Sequence, residues 1–365
     1  MTWTGVRTIM VLELRQRVRA TRWRIMLGIW LAVLILLCGG LVIAIETTSS
    51  TGPSNDYLLT LYDIVVCFVL GIGLIVAPTL SATSINGDRA DATLALLQAT
   101  ALRSQEIVVG KLLAAWIAAI AFLGVAVPFL VILTVAGGSH WQALVAHLVI
   151  LVFTLGAVCA IGLGFSSLTA RPSASAVLTY IVVAALTVGT PLATAIASSV
   201  VTGTQTEVTY YVDYDKSTDD KIVCQSEPEI ETHEVTRTDR IWWILAPNPF
   251  VALGDATAHA PLQPASAVFG APDSFLSLTG QGVDVMRNPQ PSRVVNNRCE
   301  DRDDSYDGPS SSSASSDDHG PVARHLAFWP ASLVALTALG AGGVITASRR
   351  LRVPAGRLPR GVRLA

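Results

Sequence analysis

The chain has 365 residues, of which 51% are hydrophobic and only 14% charged. Soluble domains carry about 25% charged residues, so composition excludes a soluble enzyme, a nucleic-acid binder and a disordered chain. The net charge of −2 averages two opposed regions: residues 201–325 hold 20 of the 27 acidic and 9 of the 25 basic residues, a net of −11, and the other 240 residues carry a net of +9.

Residues 1–25 open the chain with a basic segment. Val11, Leu14, Val18, Thr21 and Ile25 recur at spacings of three and four, which predicts one helical face. Arg15, Arg19 and Arg22 border one side of this stripe, Arg17 and Arg24 the other. Long basic side chains beside an apolar stripe reach phosphates while the stripe enters the lipid boundary. The segment is therefore expected to be an interfacial helix lying along the membrane surface.

Six apolar runs follow that are long enough to cross a bilayer, which takes about 20 residues. They are 26–45, 59–80, 112–136, 142–166, 174–200 and 326–347, and none contains Lys or Arg. The second, third and fifth hold Pro78, Pro128 and Pro191; neighbouring helices can satisfy the carbonyls these prolines free. No small-residue cleavage site follows Ile45, so the first run is expected to remain as a span. Arginine and lysine concentrate in the N-terminal segment, the loop between spans two and three, the next alternate loop at Arg171, and the tail 349–365, whereas 46–58 and 137–141 carry neither. The positive-inside rule then puts both termini in the cytoplasm and the long 201–325 segment outside. The fold class expected is an all-α polytopic membrane protein: spans one to five over 26–200 with a cytoplasmic loop 81–111, an extracytoplasmic insertion 201–325, and span six over 326–348.

Within the insertion, Thr206–Val212 alternates polar and β-branched residues and predicts a strand. Ile241–Leu253 is apolar, with Trp242 and Trp243. Two readings stay open for it, an interfacial piece with tryptophans at headgroup depth and a small core for the external domain. Residues 300–318 are rich in Asp and Ser and predict disorder. Cys38, Cys67 and Cys159 fall in spans and read as packing residues; Cys224 and Cys299 fall outside, where an oxidising exterior favours a disulfide between them.

Catalytic motifs are missing. Gly110-Lys111 lacks the upstream glycine and following Ser or Thr of a phosphate loop, and there is no GxSxG or HExxH. No two histidines stand at i, i+4 and the external cysteines lack CxxC spacing, so no metal site is expected. Asp63 and His147 are intramembrane polar candidates, each with an interfacial placement as the plainer reading.

The segment after span two is the most informative. Asp88-Arg89 leads into Ala-Asp91-Ala-Thr93-Leu94-Ala-Leu96-Leu97, then Ser104-Gln-Glu106 and Gly110-Lys111 opening span three. This resembles the permease subunits of type-2 ATP-binding-cassette (ABC) exporters of bacteria, in which an acidic residue precedes a short Thr-Leu-x-Leu-Leu helix, a Ser/Glu turn and Gly-Lys. Asp88 stands where Glu is usual, and Ala101 or Leu102 replaces a common proline. The basic helix with Glu13 and Trp23 and the turn Ser167–Ser173 also fit, and together the resemblance covers most of residues 1–200 and the last span.

The resemblance implies a plasma-membrane permease without catalytic activity or cofactor of its own. A separate cytoplasmic ATPase would bind ATP and Mg, and a second permease copy would complete the path. It further implies that Asp88, Arg89, Thr93, Leu94, Leu97, Glu106 and Lys111 form the coupling segment to the ATPase, and that Glu13, Arg15, Arg19, Arg22 and Trp23 belong to the interfacial helix. The competing expectation, from another class, is a membrane-anchored sensor or assembly protein whose acidic exterior binds a ligand. Small residues at Gly71, Gly73, Gly156, Gly162, Gly164, Gly340, Gly342 and Gly343 are expected to line helix contacts.

Overall fold

The computed structural model describes residues 2–48, 55–90, 103–137, 141–213, 216–217, 223–259, 274–289, 291–297 and 326–351. The chain divides into two units. One comprises residues 1–190, 246–281 and 327–365; the other comprises 191–245 and 282–326.

The first unit is a helical bundle. A basic helix, α1 (Trp3–Arg19), is followed by α2 (Thr21–Thr48), α3 (Asn55–Ser81), the short α4 (Ser84–Ala90), α5 (Ser104–Ala136) and α6 (Trp141–Leu168). Next comes α7 (Pro172–Ala184), which runs through a π-helical turn, Ala185–Gly189, into α8 (Thr190–Val200). Six helices among the described residues are long and apolar enough to cross a membrane. They coincide in order with the six apolar runs, and the protein is a membrane-spanning one by length and composition.

The N-terminal segment is not one helix. Ala20 adopts extended backbone (φ −69°, ψ 121°) and separates α1 from α2. Thr21 and Ile25 therefore belong to the span, and the apolar stripe drawn through Val11, Leu14, Val18, Thr21 and Ile25 is cut after Val18. Gly5, Val6 and Ile9, on another side of α1, are buried against the bundle. Glycine permits that approach: a Cβ on Gly110 of α5 would lie 2.7 Å from Ile9 Cβ and 3.0 Å from the Val6 carbonyl.

The bundle core is apolar and aromatic. Trp30 stacks on Phe122 at 4.4 Å and on Phe68 at 5.8 Å between ring centroids, and its indole N–H donates to the Phe122 carbonyl at 3.1 Å. Most of the small residues serve contacts inside this chain. Where α6 meets the last helix, α11 (Trp329–Arg350), a Cβ on Gly164 would stand 2.7 Å from Gly343 Cα. Gly71 and Gly342 are the exceptions, with open space beside them.

The proline in span five is accommodated from outside its helix. Pro191 has no N–H to offer the Thr187 carbonyl four residues back. The Asn248 amide donates to that carbonyl at 3.0 Å and to Thr190 Oγ1 at 3.0 Å. The same side chain caps the next helix, α9 (Pro249–Ala258), accepting from the Phe250 N–H at 2.9 Å.

The second unit holds a three-stranded sheet, so the all-α description applies to the bundle alone. The strands are β1 (Thr202–Tyr210), β2 (Glu229–Thr236) and β3 (Arg293–Asn297) in the order β2-β1-β3. β1 pairs antiparallel with β2 and parallel with β3. The strand expected at Thr206–Val212 thus begins four residues earlier and is the central one. In this unit Arg287, at the end of α10 (Phe275–Arg287), lies over the Trp242 ring at 4.9 Å, and Trp243 is exposed. The apolar run Ile241–Leu253 is divided: Ile241–Leu245 belongs to this unit, while Val251, Ala252 and Leu253 are buried in α9 of the bundle unit.

Candidate functional site: a buried ion cluster where span three begins

At 33 residues α5 is about 50 Å long, well beyond the ~30 Å of a bilayer hydrocarbon core. At its first turns Glu13, Asp88, Glu106 and Lys111, four of the polar residues named from the sequence, come together. Lys111 is 1% exposed, yet its ammonium pairs with Asp88 of α4 at 2.6 Å and with Glu13 of α1. One cation thus ties three separate elements together.

Glu106, one turn earlier, fixes the start of α1. Its Oε1 accepts from the Thr2 N–H at 2.5 Å and the Thr2 hydroxyl at 2.9 Å. Its Oε2 accepts from the Arg103 N–H at 3.1 Å, capping α5 itself. Thr2 in turn is the N-cap of α1. At the other end of α1, Arg17 turns inward and donates to the Leu80 carbonyl at 2.8 Å. Burial pulls its guanidinium below the ordinary value, opposed by the neighbouring Glu13 carboxylate. α1 is thus held at both ends and the middle, with α3, α4 and α5 as its anchors.

α4 is secured from a second side. Ser166 Oγ accepts from the Ile85 and Asn86 N–H groups at 3.0 and 3.2 Å and donates to Asn86 Oδ1 at 3.1 Å. The Asn86 amide donates to Ser175 Oγ at 2.9 Å and to Thr169 Oγ1 at 3.3 Å, and Ser175 donates to the Ala82 carbonyl. The turn between spans four and five therefore grips the same short helix that carries Asp88. Asn86, Ser166 and Ser175 were not singled out from the sequence; their only signal was an Asn and two Ser beside predicted turns.

The other named residues fall as follows. Arg89 is exposed on α4, as are Arg15 and Arg19 on α1 and Arg22 on α2, while Trp23 is half-buried. Thr93, Leu94 and Leu97 lie outside the described residues, as does Cys299. Cys224 is disulfide-bonded, and Cys38, Cys67 and Cys159 are free.

Asp63 and His147 lie toward the opposite end of the bundle, where each anchors another segment. Asp63 is buried and accepts from the Leu276 N–H at 2.9 Å, capping the start of α10 from another helix. His147 is fully buried on α6. Its Nε2 lies 3.2 Å from the Leu253 carbonyl and 3.0 Å from Thr257 Oγ1, and its Nδ1 2.8 Å from the Tyr62 hydroxyl. A carbonyl only accepts, so Nε2 carries the proton and Nδ1 accepts from Tyr62. His147→Phe should lower stability by about 2–3 kcal/mol by leaving buried polar groups unpaired, read as a drop in the melting temperature of the detergent-solubilised chain. An unchanged melting temperature would show that the network contributes nothing.

Among the described residues, then, the groups gathered at Lys111 join elements mechanically, with no nucleophile aligned to a base. No protein-family model matches the chain, and no curated protein matches it.

Proposed function

We propose that this chain is the membrane-spanning permease subunit of a bacterial ABC exporter, driven by a separately encoded cytoplasmic ATPase that binds ATP and Mg. The observation that carries the reading is the Glu13–Lys111–Asp88 cluster. It joins the basic N-terminal helix, the start of span three and the short helix that leads directly into residues 91–102. Those residues contain Thr93, Leu94 and Leu97, the part that resembles the ATPase-docking helix of such permeases. A push on that segment has a short route into the bundle: through Asp88 to Lys111 and α1, and through Asn86 to the span four–five turn.

The charge distribution supports the orientation. Arginines on the N-terminal segment, the 81–111 loop and the tail put these parts in the cytoplasm, and the acidic insertion on the other side. The permease works with a second copy in the plasma membrane, and its cargo crosses between the bundles.

The test is co-purification of a cytoplasmic ATPase with the protein from its native membrane. Wild type is expected to retain it and Leu97→Asp to lose it, since a carboxylate on the apolar face of a docking helix is desolvated on binding. Equal recovery of the ATPase with both proteins overturns the assignment.

A further inference from the structure

α1 has two faces, and the cluster at Lys111 uses only one. With 100° per residue, Val6, Ile9, Glu13 and Arg17 fall on the side that meets the bundle, while Arg7, Arg15 and Arg19 occupy an arc of about 120° on the opposite side. All three are exposed. Among the described residues none of them forms an ion pair, because the only acid of the helix, Glu13, is turned inward to Lys111. Val11 and Val18 share that outer arc, and Val18 is 60% exposed. An outward face made of arginines and aliphatics is complementary to a ligand that is anionic at one level and apolar at the next.

We propose that the Arg7–Arg15–Arg19 face of α1 is a binding site for anionic phospholipid, with the arginines on the headgroup phosphates and Val11 and Val18 against the upper acyl chains. Depth argues for lipid over free phosphate or an acidic protein. Only Ala20 separates α1 from α2, a membrane-spanning helix, so the face runs up to within two residues of that helix at Arg19. The guanidinium fork suits phosphate, and the aliphatic neighbours have no use for a soluble anion. The site depends on the membrane-spanning architecture alone and not on the exporter assignment. Because the inner face of the same rigid helix holds Lys111, bound lipid on the outer face would add to the forces that keep α1 docked.

The experiment is native mass spectrometry of the full-length protein in detergent, titrated with phosphatidylglycerol or phosphatidylcholine. Wild type is expected to retain phosphatidylglycerol preferentially, with binding weakened by salt and unaffected by millimolar inorganic phosphate. R7Q/R15Q/R19Q should weaken it by about fivefold per arginine, on the order of a hundredfold in all. R7K/R15K/R19K should keep most of the affinity, which separates lost charge from lost fold. The proposal is overturned if the glutamine variant binds phosphatidylglycerol as wild type does, or if the two lipids bind wild type equally. It is equally overturned if inorganic phosphate competes at those concentrations, or if the glutamine variant loses a co-purifying ATPase while keeping the lipid.

Discussion

Replacing Lys111 by methionine is expected to destabilise the bundle by about 3–5 kcal/mol and to loosen the middle of α1 from α5. Methionine fills a similar volume, so packing changes little. What changes is charge: Asp88 and Glu13 would face one another across a site in which Lys111 is 1% exposed. Breaking a buried ion group by removing one partner leaves an uncompensated charge, and that desolvation cost exceeds the net worth of the intact group. The effect should appear in two measurements on the detergent-solubilised protein: a lower melting temperature, and faster backbone hydrogen exchange across α1. The triple variant Glu13→Gln, Asp88→Asn, Lys111→Met removes all three charges together and should recover much of the loss. A single Lys111→Met as stable as wild type would show that the cluster holds nothing together.

The second large effect is expected from Gly343→Leu, at about 3 kcal/mol. A Cβ there would stand 2.5 Å from the Ala160 carbonyl oxygen and 3.0 Å from its carbon. Both are backbone atoms, so no side chain can swing aside and α11 must move off α6. Small residues are what allow two helices in lipid to meet backbone to backbone. Gly342 supplies the control, since a Cβ there meets nothing within 4 Å and Gly342→Leu should melt close to wild type. Equal melting of the two leucine variants would mean that the crossing is looser than its geometry.

These expectations rest on features that differed in how far the sequence revealed them. The spans were legible because each is a long apolar run, and lipid demands that of a helix wherever it packs. Asp88, Glu106 and Lys111 were named through the resemblance of the segment after span two to exporter permeases. Their partners were harder. Nothing local marks Glu13 as the mate of Lys111, or Ser166 and Ser175 as the mates of Asn86; these pairings exist only once helices distant in sequence are brought together. The inward face of α1 is hidden for a related reason. Periodicity finds the outer stripe, Val11–Leu14–Val18, but it does not mark Gly5, Val6 and Ile9, which are buried where Gly110 allows close approach. A glycine on another helix leaves no trace in the pattern of the first.

Asp63 and His147 carry the same lesson from the opposite end. Polar groups within apolar runs invite a transport role or an interfacial one. Here each satisfies backbone groups of a later segment, Leu276 for Asp63 and Leu253 for His147. The sequence shows the polar group; only the fold shows which unpaired backbone atom it answers.

The pairing of Glu13 with Lys111 also has a consequence in time. The two residues are 98 positions apart, and at ~5–20 residues per second the ribosome needs about 5–20 s to travel between them. For that interval Glu13 has no Lys111 to pair with, and the Leu80 carbonyl of α3 is the earlier of the two partners to become available to α1. Locking of α1 at its middle must therefore wait for the third span.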